Sequence, residues 1–121
     1  GHTFAHAYEA SLGYSKKLNN GEAVILGMKT ALNFSLKNRL LTKNEYHSII
    51  NHIYKSNLPS TINKFFKIKD LNRILSFMMK DKKNNLNKIN LVLLKKIGSP
   101  IIDKKYSKKS LGLFLKKELS N

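Results

Sequence analysis

Between Gly21 and about Arg39 the residues Val24, Met28, Ala31 and Leu32, with Ile25 and Leu36 beside them, recur at helical spacing. A run of that length commits the chain to a fold built around one long amphipathic helix. Shorter stretches repeat the pattern. His2 to Leu12 reads as a short helix that stops at Gly13, a residue type suited to the left-handed turn that ends helices. Thr42 and Glu45 form a T-x-x-E capping box, followed by the stripe Tyr46, Ile49, Ile50 and Ile53, and together they predict a third helix to about Ser56. Asp70 is the expected N-cap of a fourth helix, which carries Leu71, Ile74, Leu75 and Met78 on one face and ends near Asp81.

The connections are legible as well. Ser15 to Asn20 is a polar loop, and Asn57 to Lys69, with Pro59 and Ser60, reads as a loop holding one turn of helix near Ile62 to Phe66. Lys88 to Leu94 alternates as a strand does, Gly98-Ser99-Pro100 interrupts it, and Ile101-Ile102 resumes as a second short strand. A last helix starts at Ser107 or Ser110 and carries Leu111, Phe114, Leu115 and Leu119. The expected fold class is therefore mainly α, with one small β-hairpin near the C-terminus. At 121 residues the chain forms one domain over 1–121 and is too short to hold a dinucleotide-binding domain as well.

Composition removes several functions. There is no cysteine, so disulfides, thiolate metal sites and cysteine nucleophiles are excluded. No apolar run approaches the roughly 20 residues that span a bilayer, and the first residues lack the pattern of a signal peptide, so no membrane role is expected and a cytoplasmic location is. No glycine-rich phosphate loop follows a strand, which leaves no NAD site in the chain. The net charge of +16 would suit a polyanion. Its make-up argues otherwise: 21 Lys stand against 2 Arg, spread in pairs along the chain beside 14 Asn and 11 Ile, as a genome poor in G and C supplies. Arginine, the residue that suits bidentate phosphate and base contacts, is nearly missing, so no specific nucleic-acid partner is expected.

The chemistry-bearing signal lies at the start. His2 and His6 are four residues apart, which on a helix brings their β-carbons to about 5–6 Å on one face, a spacing that suits a shared metal or a metal beside a phosphate. A lone H-x3-H is weak evidence. The wider stretch is more specific: Gly1-His2-Thr3-Phe4-Ala5-His6-Ala7-Tyr8-Glu9, then Gly13-Tyr14, then Gly21-Glu22-Ala23-Val24 with Gly27-Met28. It resembles the metal-binding, helical C-terminal domain of 3-dehydroquinate synthase, where the matching residues read roughly GHTFGHAIEA, GYG, a histidine, then GEAVAIGM. A second match, Lys80-Asp81-Lys82-Lys83 after Phe77-Met78-Met79, is similar to that family's M-x-x-DKK segment, and Ile97-Gly98 to the IG that follows it.

The resemblance implies a carbon–oxygen lyase of the shikimate pathway of aromatic amino acid biosynthesis, which converts 3-deoxy-arabino-heptulosonate 7-phosphate to 3-dehydroquinate and phosphate with NAD and a divalent metal, usually zinc. It implies that His2 is a metal ligand, that His6 touches the substrate phosphate and helps move protons, and that Lys82, before Lys83, contacts the same phosphate. One position departs from the pattern. Asn20 stands where the family has a histidine ligand, and its neutral amide oxygen is a poor substitute for imidazole, so metal binding should be weak or lost.

Glu9 and Glu22 could each orient an imidazole, although the helix dipole alone also favours an acid at Glu22. His47 and His52 flank the third helix's stripe on its polar side and read as surface residues. The abrupt start suggests a truncated reading frame or an excised domain whose N-terminal NAD-binding partner lies elsewhere, and the isolated chain is expected to be inactive. The alternatives are a non-catalytic helical module that self-associates through an apolar face left uncovered, or binds a phosphate-bearing ligand or partner protein, and a related sugar-phosphate cyclase with another substrate.

Overall fold

The computed structural model describes residues 2–13, 20–54, 62–80, 88–96 and 99–120. Among the described residues five helices and one hairpin follow in order: α1 (His2–Ser11), α2 (Asn20–Lys37), α3 (Lys43–Tyr54), α4 (Leu71–Met79), β1 (Lys88–Lys96), β2 (Ser99–Ser107) and α5 (Lys108–Ser120). Two short 3-10 turns, Ile62–Lys64 and Ile68–Asp70, lead into α4. The expected mainly α fold with one terminal hairpin is the observed one.

The main core gathers side chains from almost every element. Phe4, Ala7 and Tyr8 of α1, Ala23, Leu26, Ala31 and Phe34 of α2, and Ile74, Leu75 and Met78 of α4 meet Ile62, Phe66 and Ile89. Helix α5 closes this core with Leu111, Phe114, Leu115 and Leu119, the four positions its periodicity marked. Phe34 lies at the centre of the aromatic packing, its ring 4.7 Å from Tyr106 and 5.0 Å from Phe114, both edge to face, a geometry the ring quadrupoles favour. The other side of α2 forms a second cluster, in which Leu32 and Ile25 meet Leu41 and the α3 stripe residues Tyr46, Ile49 and Ile50. Burial on both sides makes α2 the axis of the domain.

The helix ends show how local chemistry sets the boundaries. The capping box of α3 is formed as read, with the Thr42 N–H donating to Glu45 Oε1 at 3.0 Å and the Glu45 N–H donating to Thr42 Oγ1 at 3.1 Å. Ser107 caps α5 by accepting from the Ser110 N–H at 3.0 Å, which decides between the two serines considered. Asp70 does not cap α4. Its carboxylate instead accepts from the Lys67 N–H at 2.8 Å, because the 3-10 turn Ile68–Asp70 already begins the helical run and the entry point is displaced to Lys67. The helix turn expected near Ile62 to Phe66 is the 3-10 turn Ile62–Lys64, and α4 ends at Met79, two residues before Asp81.

The hairpin is longer than its alternation implied. β1 and β2 pair antiparallel from Lys88↔Ser107 to Lys96↔Ser99, with irregularities between Leu91 and Leu93 and between Leu94 and Lys96. Pro100, read as a break, is a strand residue opposite Leu94. In a two-stranded sheet both strands are edges, and proline's missing N–H is tolerated there.

Helix α2 ends in a Schellman motif. The Arg39 N–H donates to the Leu36 carbonyl at 3.1 Å and the Leu40 N–H to the Ser35 carbonyl at 2.9 Å, while Arg39 takes the left-handed conformation at φ 60. That position normally belongs to glycine, since a β-carbon there costs about 1–2 kcal/mol. Arg39→Gly should therefore stabilise the domain by about 1 kcal/mol and raise its melting temperature by a few degrees, measured by thermal unfolding followed by circular dichroism.

Candidate functional site

Helix α1 has two faces with different duties. Phe4, Ala7, Tyr8 and Ser11 recur at i, i+3, i+4 and i+7 and are buried against α2 and α4, which turns the positions of His6 and Glu9 to the other side. His6 is exposed and Glu9 half-buried. His2 stands one turn before His6 on the same helix. Asn20 is the first residue of α2, followed at once by Gly21 and Glu22, so the candidate residues of α1 and α2 lie on neighbouring packed helices. Lys82 and Lys83 lie outside the described residues. Just before them, Lys80 places its ammonium 4.8 Å from the Phe77 ring, a cation–π contact within its own turn.

The inner face of α1 holds a polar contact. Tyr8 is fully buried and its hydroxyl lies 2.7 Å from Thr30 Oγ1 on α2. Thr30 gives its own proton to the Leu26 carbonyl at 2.9 Å, so Tyr8 is the donor to Thr30. The Tyr8 ring sits between Phe4, at 6.3 Å, and Phe66, at 5.3 Å. At the far end of α1, Arg73 of α4 donates to the Ser11 carbonyl at 3.2 Å and satisfies an unpaired acceptor of the last turn. A further polar chain crosses three helices: Tyr46 of α3 donates to the amide oxygen of Asn33 on α2, and the Asn33 amide donates to Glu118 of α5 at 2.6 Å.

The histidines of α3, His47 and His52, are both exposed, as their place beside the apolar stripe implied. Among the described residues no group of three His, Asp or Glu side chains is brought together as a metal site, and no helix is long and apolar enough to cross a membrane. Tyr8 and Thr30 were not singled out by sequence reasoning. The available signal was a tyrosine at a position where the resembling family stretch carries isoleucine.

This arrangement of helices with a terminal hairpin has a counterpart among solved structures. The crystal structure of 2-deoxy-scyllo-inosose synthase complexed with carbaglucose-6-phosphate, NAD+ and Co2+ superposes with a TM-score of 0.71 at 19% identity, over 96% of this chain and 32% of that one. The likeness shows a fold shared with about a third of that chain. The family of the 3-dehydroquinate synthase C-terminal domain matches residues 1–84, and the chain belongs to it. Over 120 residues it is 62% identical to the 3-dehydroquinate synthase of Pelagibacter ubique, covering 99% of this chain and 33% of that protein. The enzyme of Zymomonas mobilis is 33% identical over 120 residues, covering 99% and 32%. The chain thus spans about a third of the length of the curated relatives it matches.

The burial of Tyr8 has a pH consequence. Removal from water pushes its phenol well above the ordinary value of 10.0. The unfolded chain ionises this group near pH 10 and the folded chain does not, so its contribution to stability is complete below pH 10 and declines above it. Between pH 9 and 11 the wild type should lose about 1 kcal/mol more unfolding free energy than Tyr8→Phe, measured by urea titration at each pH.

Proposed function

We propose that this chain is the helical part of a 3-dehydroquinate synthase, that His6 together with Lys82 and Lys83 serves the substrate phosphate, and that the 121 residues alone do not turn substrate over. The observation that carries this reading is the exposed His6 on the face of α1 opposite the buried Phe4, Ala7 and Tyr8, in a chain similar along 99% of its length to such enzymes. An imidazolium or ammonium donates charge-assisted hydrogen bonds to phosphate oxygens, stronger than neutral ones. A histidine also exchanges protons near neutral pH, which suits the departure of phosphate from carbon as it gains negative charge. Val24 and Met28, 41% and 36% exposed one turn apart on α2, offer an apolar surface for the remainder of the enzyme, or for a second copy when the fragment is alone.

The metal expected from the resemblance does not fit the donors at hand. With Asn20 at the ligand position, His2 is the one expected imidazole donor left, and zinc sites of this kind take three protein ligands. Restoring the donor should show. Asn20→His should raise zinc affinity by at least about tenfold over the wild type, read by isothermal titration calorimetry.

The activity reading has a direct check. The purified chain, supplied with NAD, a divalent cation and 3-deoxy-arabino-heptulosonate 7-phosphate, should release no phosphate above the protein-free background. Turnover by the chain alone would overturn the inactivity.

A further inference from the structure

The two helices that carry the candidate residues, α1 and α2, are joined by a side-chain hydrogen bond from Tyr8 to Thr30. Apolar contacts by Phe4, Ala7, Leu26 and Ala23 hold the helices together but are not directional, so they tolerate small sliding and rotation. A buried hydroxyl pair at 2.7 Å does not, because moving either helix by an ångström leaves the Tyr8 hydroxyl without its acceptor in a dry core. The chain Tyr8 to Thr30 to the Leu26 carbonyl ends on the backbone of α2 itself, and the Tyr8 ring is fixed laterally by Phe4 and Phe66. His6 is only two residues from Tyr8, on the opposite face of the same helix. Whatever fixes the rotation and height of Tyr8 fixes those of His6.

We propose that Tyr8 and Thr30 are a positioning pair: their buried hydrogen bond sets the register of α1 on α2, and so the placement of His6, without a bound metal. The presence of Asn20 at the expected ligand position gives this lock its significance, since a metal bridge between the two helices would lack one of its expected imidazoles. The role of His6 toward phosphate rests on the function proposed above, whereas the register lock stands on geometry alone.

The test uses the whole 121-residue chain and four variants, Tyr8→Phe, Thr30→Val, Thr30→Ser and the double variant Tyr8→Phe/Thr30→Val. Amide hydrogen exchange is followed by NMR in α1 and, as a distant reference, in α5. Tyr8→Phe and Thr30→Val should each speed exchange in α1 by about five- to tenfold with α5 nearly unchanged. Thr30→Ser, which keeps the hydroxyl, should retain wild-type protection, and the double variant should be no worse than the more affected single one. The His6 ring resonances should move in Tyr8→Phe while those of His47 and His52 stay in place. Chelator and added zinc should both leave α1 protection in the wild type unchanged.

Three results would overturn the lock: unchanged α1 protection in Thr30→Val, equal acceleration in α1 and α5, which marks Tyr8 as a general core residue, or loss of α1 protection on chelation. Titration with inorganic phosphate separates the two proposals. A His6 ring that does not respond to phosphate in the wild type counts against the functional role of His6 and leaves the register lock standing.

Discussion

Everything in this domain depends on the burial of α2 along both of its sides. One side supplies Ala23, Leu26, Ala31 and Phe34 to the core shared with α1, α4, the hairpin and α5, and the other supplies Ile25 and Leu32 to α3. A polar group buried on a helix enclosed in this way costs stability unless it is paired. Thr30 and Asn33 are paired accordingly, Thr30 with Tyr8 and the Leu26 carbonyl, Asn33 with Tyr46 and Glu118. Thr30 and Asn33 thus become directional links to different neighbouring helices, whereas the hydroxyl of Ser35, also buried on α2, has no hydrogen-bond partner among the described residues. Non-directional burial supplies most of the driving force, and these links decide how the helices sit.

The parts of the fold that were legible in sequence are those governed by a local rule. The α3 capping box, the Ser107 cap and the α5 stripe each depend on residues within one or two turns, and each is found where its spacing indicated. Asp70 misled because its carboxylate is equally suited to accept from Lys67, and the choice was made by the 3-10 turn before it. Arg39 carried no signal at all: a left-handed arginine is disfavoured by itself and persists because two carbonyls of α2 are satisfied by the turn it allows. Pro100 misled because proline's effect on a strand depends on whether the strand has a second neighbour, which is a property of the sheet.

The candidate site divides the same way. The outward placement of His6 follows from the apolar period of α1, since Phe4, Ala7 and Tyr8 define the inner face and leave His6 on the other. The link between Tyr8 and Thr30 spans 22 positions and two helices, so no periodicity within either helix could have announced it. What a sequence can offer for such a contact is an anomaly, a large polar ring at an inner position, and not the partner that explains it.

The core and the chemistry are held by different residues, and this has a consequence for how the two can change. Phe4, Tyr8, Phe34, Phe66, Ile74 and Leu115 are almost completely buried, and replacing any of them by alanine removes packing worth several kcal/mol. His6 lies at the surface, where a substitution comes at little cost in stability. Selection for folding alone would then preserve the helices and the hairpin while leaving such a surface position free to drift.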